Sequence, residues 1–257
     1  MVNGIDQFRL HFEGYKDHYA LIGGAACYIA LKEAGLDFRA TKDFDIVLCL
    51  ETLDVEFIDA FWDFVKNGGY QNQQKSTGKK LFYRFYGPAD HTFPYMLELF
   101  SRIPDALRIR DDAHLTPIPF HEEVSSLSAI LMDGEYYNFI QEFRVEQDGV
   151  VIVSPECLIP LKAKAWLDLT ERRDAGNKID EKDIKKHKND IFRLFQIISP
   201  DIRVATPYSI GNDLLRFFEA VKADPPPSLK PFGLGSTKLD EVINSLQLIF
   251  GLRNRME

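Results

Sequence analysis

Residues 39–48 read Arg-Ala-Thr-Lys-Asp-Phe-Asp-Ile-Val-Leu, and the fold turns on this stretch. Two carboxylates, Asp43 and Asp45, alternate with Phe44 and run straight into Ile46, Val47 and Leu48. An extended strand turns successive side chains to opposite faces, so both acids share one face at the strand's leading edge. With a rise of roughly 3.3 Å per residue, their carboxyl groups stand within about 7 Å of each other. Carboxylates that close repel unless a cation lies between them. Magnesium takes oxygen ligands, commonly one or two carboxylates together with substrate phosphates. The stretch therefore predicts a magnesium site for phosphoryl-group chemistry, set against the plainer reading of a strand whose polar end is solvated.

On its N-terminal side, Tyr19 to Ile22 reads as a short apolar strand that stops at Gly23-Gly24. The pattern is helical from Ala25 to Ala34, with Gly35 placed as a C-terminal cap. Backbone amides at a helix start after a glycine turn make an anion-binding end suited to phosphate. A glycine pair is often only a tight turn; one helix ahead of the Asp43/Asp45 strand, it points to phosphate. On the C-terminal side, Leu81 to Tyr86 and Tyr95 to Phe100 read as strands joined through Gly87-Pro88. Glu98 sits between Leu97 and Leu99, and an acid there is costly to bury unless something pairs with it. It reads as a third metal carboxylate, or else as a residue on a wet face of the sheet.

The remaining pattern supplies the frame. Residues 3–18 predict one amphipathic helix, and Leu53 to Lys66 another with Phe57, Phe61, Phe64 and Val65 inward. The proline-dotted stretch 101–123 resists assignment. Val124 to Leu131, Tyr136 to Val145 and Val150 to Val153 predict antiparallel strands, with hairpin signals at Asp133-Gly134 and Asp148-Gly149. At Ser154 the character changes: Ser154-Pro155 starts a helix that runs to about Asp174 and closes at Gly176. Leu158, Leu161, Ala165 and Leu169 form its apolar stripe, and Lys162 falls inside it. That ammonium either snorkels to water or reaches an anion such as a triphosphate; the acidic strand upstream favours the second. Asp180 caps a further helix to about Ser199, in which periodicity makes Asp190 a solvated surface acid. Helices over 208–223 and 237–252 read as scaffold.

Composition narrows the classes. The 257 residues hold 45% hydrophobic and 27% charged residues with a net charge of −8, which is not the balance of a protein that coats nucleic acid. A local basic edge remains open, because residues 178–188 hold five lysines and a histidine; a solvated helix start explains them equally well. No apolar run approaches the roughly 20 residues that span a bilayer, and no basic-then-apolar leader pattern stands at Met1, so a cytoplasmic protein is expected. Cys27, Cys49 and Cys157 read as buried hydrophobes, and the six histidines show no metal-ligand spacing.

With these residues in view, the chain resembles the nucleotidyltransferase fold of the DNA polymerase β superfamily. Within it the chain is similar to the AbiEii-type bacterial nucleotidyltransferases, toxins of toxin–antitoxin and phage-abortive-infection systems. The matching stretches are Leu-Ile-Gly-Gly-Ala-Ala (21–26), the 39–48 stretch, Val-Ser-Pro-Glu-Cys-Leu-Ile-Pro-Leu-Lys-Ala-Lys-Ala (153–165) and Lys-Asn-Asp-Ile-Phe-Arg-Leu (188–194). The resemblance implies an α+β fold with a mixed sheet flanked by helices, followed by a mainly helical C-terminal part. It implies a catalytic domain over 1–153 and a helical domain over 154–257 that completes the cleft. Asp43, Asp45 and Glu98 would hold two magnesium ions, Gly23 and Gly24 would approach the triphosphate, and Lys162 would contact its oxygens. Asp190 matches the acid of the family's last motif. Three departures stand out: Ala25 and Ala26 replace a hydroxyl residue after the glycines, the gap to Asp43 is long, and Glu98 replaces an aspartate.

The implied activity is transfer of a nucleoside monophosphate from an NTP to a hydroxyl acceptor, such as a tRNA 3′ end or a protein, with a cognate antitoxin as partner. Two other readings stay open: a small-molecule (aminoglycoside-like) adenylyltransferase, and a non-catalytic nucleotide-binding module of the same fold.

Overall fold

The computed structural model describes residues 2–49, 52, 54–70, 83–100 and 134–252. The stretch 101–123, the expected strand Val124–Leu131 and Asp133 lie outside them. The chain is α+β: a six-stranded mixed sheet with helices, followed by a mainly helical C-terminal part. It divides into two compact units, Met1–Ser154 and Pro155–Glu257.

The first unit runs α1 (Ile5–His11), a 3-10 segment (Glu13–His18), β1 (Tyr19–Ile22), α2 (Gly23–Glu33), β2 (Asp43–Leu48) and α3 (Val55–Gly68). Then follow β3 (Tyr83–Tyr86), β4 (Met96–Phe100), α4 (Gly134–Glu142), β5 (Arg144–Gln147) and β6 (Val150–Val153). The strand order is β3-β4-β2-β1-β6-β5. β2 lies antiparallel to β1 and parallel to β4, so the leading ends of β2 and β4 meet at one edge.

Alternation along these strands separates two chemistries. Phe44, Leu97 and Phe85 lie level across β2, β4 and β3 and share one face. The Phe8 ring of α1 sits 5.3 Å from Phe44, and Phe61 of α3 sits 5.7 Å from Phe85. Burial of such rings, at roughly 2–3 kcal/mol each, anchors α1 and α3 to that face. Register then forces Asp43, Asp45, Glu98 and Arg84 onto the opposite face. Asp54 starts α3 by accepting the Phe57 N–H, and Gly69 ends it in the left-handed region at φ 63°.

Two expectations for this unit need correction. The single helix expected over 3–18 is α1 and a 3-10 segment that part at Phe12, and the 3-10 segment is itself kinked at Tyr15, whose φ of −123° is not helical. The strand expected over Tyr136–Val145 is largely α4, with β5 taking only its end. Its aromatic residues suggest β structure, but Tyr136, Tyr137, Phe139 and Ile140 are buried at helical spacing. Gly134 therefore opens a helix and is not part of a hairpin. The second hairpin holds: β5 and β6 pair antiparallel around Asp148 and Gly149, both at positive φ (50° and 74°), as a two-residue primed turn requires.

The second unit comprises α5 (Pro155–Asp174), α6 (Glu181–Phe195), α7 (Tyr208–Ala223), a 3-10 turn (Lys230–Phe232) and α8 (Leu239–Ile249). Pro155 opens α5, where its missing N–H costs nothing. Asp180 caps α6 by accepting the Lys182 N–H. α6 stops at Phe195, short of Ser199, because Gln196 and Ile197 donate to the carbonyls three residues back and tighten the chain. Among the described residues no helix is long and apolar enough to cross a membrane.

Candidate active site

The register of three strands gathers the acids. Asp45 of β2 pairs with Glu98 of β4, and Glu98 pairs with Arg84 of β3. One row across the sheet therefore reads Asp45, Glu98, Arg84, with Asp43 two residues before Asp45 on the same face. Glu98 is only 5% exposed. The cost of burying that carboxylate is offset by Arg84, whose Nε donates to Oε1 at 2.6 Å and whose Nη2 also lies on that oxygen. Glu98 is thus neither across the sheet from the aspartates nor turned to bulk water.

The glycine turn abuts this row. Ile22, the last residue of β1, is level with Asp45, and Gly23 begins α2 at φ 66°. A Cβ on Gly23 would fall 1.8 Å from Asp45 Oδ2. Only glycine tolerates both the backbone angle and that approach. A Cβ on Gly24 would meet Thr41 Oγ1 at 2.9 Å and an Arg39 guanidinium nitrogen at 3.6 Å. The first turn of α2, with its orphan amides, thus stands beside Asp45, Thr41 and Arg39. Ala25 and Ala26 are fully buried and present no hydroxyl to it.

Three carboxylates on one sheet face are a hard-oxygen donor set, and Asp43 with Asp45 suits magnesium completed by substrate phosphate. Among the described residues, however, no three His, Cys, Asp or Glu side chains are drawn together closely enough to hold a metal ion. The Glu98 carboxylate is engaged by Arg84. Asp43 and Asp45 are the residues that would hold magnesium, and Glu98 is committed to Arg84.

Lys162 and Asp190 belong to the second unit. Lys162 is buried on α5 as its place in the apolar stripe predicts, and its ammonium lies 3.1 Å from Asp190 Oδ2. The expectation of a solvated Asp190 is wrong: it is 0% exposed. Periodicity treats an acid off the apolar stripe as wet, but α6 packs on α5 there and Lys162 supplies the counter-charge. Arg193, one turn on, lies 3.6 Å from Oδ1. Another buried acid, Asp213 of α7, pairs with Lys164 at 3.0 Å, so α7 is more than apolar scaffold. In the lysine-rich start of α6, Lys186 pairs with Asp183 and Lys188 is drawn to Asp224, while Lys182 and Lys185 are exposed.

Sequence reasoning passed over Arg84, Arg39 and Thr41. Arg84 had a signal: an acid buried in mid-strand demands a cation on a neighbour, and residue 84 is the arginine in the next strand. Arg39 and Thr41 lie within the quoted 39–48 stretch but before β2, where no periodicity says which way they turn. No protein-family model matches the chain, and no curated protein matches it either.

Proposed function

We propose that the protein is a metal-dependent nucleotidyltransferase that moves a nucleoside monophosphate from an NTP to a hydroxyl acceptor. The observation that carries this reading is the level placement of Asp45 and Glu98 on β2 and β4, with Gly23 at the start of α2 pressed against Asp45. In this reading Asp43 and Asp45 hold magnesium, and Glu98 joins them. Magnesium supplies, when bound, the positive charge that an in-line displacement at phosphorus needs. The protein's own work is positioning and charge. The α2 amides at Gly23-Gly24 receive phosphate oxygens, and the Arg39 guanidinium beside Gly24 adds a fixed positive charge. Lys162 and Asp190 enter the proposal as nucleotide-contacting residues on the strength of the sequence resemblance alone. So do an RNA or protein acceptor, a cognate antitoxin and a toxin's role in bacterial defence.

A second reading, a nucleotide-binding module without catalysis, is favoured by two observations: Ala25 and Ala26 offer no hydroxyl, and Glu98 is committed to Arg84. One experiment separates the two. Thermal unfolding is followed with each NTP, with and without Mg2+, for the wild type and for Asp43→Asn/Asp45→Asn. Labelled NTPs are then incubated with the protein and total RNA, protein extract or aminohydroxyl compounds. Enzyme activity requires an NTP shift that depends on Mg2+ and on both aspartates, together with label in an acceptor. A shift independent of metal and aspartates, with no label transferred, would overturn it in favour of the binding module.

A further inference from the structure

We infer that the Thr41 hydroxyl is a phosphate ligand at the Gly23-Gly24 turn, the hydrogen-bond donor that Ala25 and Ala26 do not provide. This rests on the nucleotidyltransferase reading and adds to it a residue that binds the triphosphate. Thr41 precedes β2, and its Oγ1 lies 2.9 Å from where a Cβ on Gly24 would stand. An Arg39 guanidinium nitrogen lies 3.6 Å from the same point. The placement is held from behind: the Asn3 N–H donates to the Thr41 carbonyl at 3.3 Å, and Val2 pairs with Thr41 in a parallel bridge. Thr41 is half-buried, and among the described residues its hydroxyl has no hydrogen-bond partner.

Three donors, the Gly24 amide, the Thr41 hydroxyl and the Arg39 guanidinium, thus border one small volume at the start of α2, a helix of 11 residues. The Gly24 nitrogen shares its Cα with that Cβ position and stands about 2.5 Å from it, so it lies within about 5.4 Å of the Thr41 oxygen. An acceptor about 2.9 Å from an N–H nitrogen and about 2.7 Å from a hydroxyl oxygen spans that gap. One phosphate oxygen can therefore accept from the Gly24 amide and from Thr41 together. Asp45 stands on the other flank, at Gly23, so the donors gather on the Gly24 side and the carboxylate on the Gly23 side. Donors grouped around an orphan amide suit an anion, and the idle hydroxyl of Thr41 has its use there.

The test uses the full chain and calorimetric titration with inorganic tripolyphosphate and with each common NTP, all in the presence of Mg2+. Thr41→Val keeps the shape of the side chain and removes the donor, so it should weaken binding of tripolyphosphate and NTP about tenfold. Thr41→Ser keeps a hydroxyl and should stay within about twofold of the wild type. A merely structural role would shift the urea unfolding midpoint and would not separate Thr41→Val from Thr41→Ser in affinity. Should Thr41→Val not fold, Thr41→Ala removes the same donor and carries the same expectation. Equal affinity in the wild type and Thr41→Val, with binding still dependent on Asp43 and Asp45, overturns the inference and leaves the function reading standing. Binding that needs Thr41 but neither Mg2+ nor the aspartates keeps the phosphate ligand and removes the enzyme. If the wild type binds none of the probes, both fall.

Discussion

The Lys162 ammonium lies 3.1 Å from Asp190, and the two side chains are 3% and 0% exposed. Each therefore owes its buried charge to the other, with Arg193 as a more distant partner of Asp190. Removing one member of a buried pair strands the other and costs roughly 3–5 kcal/mol. Lys162→Met should fall at the lower end of that range, because Arg193 still compensates Asp190. Lys162→Met/Asp190→Leu should recover most of the loss by restoring apolar packing. Urea unfolding of the three proteins measures this. If the pair also serves the nucleotide, the double variant will be stable yet lose its NTP-induced thermal shift.

Gly23 is tied to Asp45 by geometry that leaves no room for a methyl group. At φ 66° an alanine costs roughly 1–2 kcal/mol from backbone strain alone. Its Cβ would also displace Asp45 Oδ2 from 1.8 Å. Gly23→Ala should therefore lose at least about 1–3 kcal/mol in denaturant unfolding and most of the Mg2+-dependent NTP shift. Gly35→Ala is the control. Gly35 also has positive φ, but nothing lies within 4 Å of its Cβ position, so stability should drop while the NTP shift survives.

Arg39 is exposed, its guanidinium beside Gly24 and 5.1 Å from the Phe38 ring. An exposed side chain contributes little to folding, so Arg39→Gln should leave the unfolding midpoint within the range of ordinary surface changes. If the Gly23-Gly24 turn receives phosphate as proposed, its loss should raise the NTP dissociation constant about tenfold, the equivalent of roughly 1.4 kcal/mol. Calorimetric titration at fixed Mg2+ checks this. An unchanged constant would remove Arg39 from the site.

What the sequence made legible followed from spacing. A period of two placed Asp43 and Asp45 on one face, and the apolar run after them marked a buried strand. The double glycine before a helical pattern gave the turn against Asp45, although no spacing rule foretold how closely they approach. Lys162 inside an apolar stripe announced a buried charge but not its partner, because Asp190 lies 28 positions later on another helix. Arg84 escaped for the same reason: a cross-strand ion pair depends on register, which the sequence of one strand does not encode. At Tyr136–Ile140, aromatic composition and helical spacing disagreed, and burial of one helical face decided for α4.

The pH dependence of folding should carry the signature of Tyr19. Its ring is packed edge-on against Phe8 at 5.1 Å, and its hydroxyl oxygen accepts the Val151 N–H at 3.5 Å. Burial pushes the phenol from its ordinary 10.0 up to about 12, since tyrosinate cannot be solvated there. The folded state thus keeps a proton that the unfolded chain releases between pH 10 and 12. This contribution is fully present below pH 10 and is lost as pH rises toward 12, about 1.4 kcal/mol of it by pH 11. Tyr19→Phe has no such proton to hold. The stability difference between wild type and Tyr19→Phe, measured in urea, should be level from pH 8 to 9.5 and then shrink by that amount at pH 11. A difference that stays level through pH 11 would mean that the hydroxyl reaches water after all.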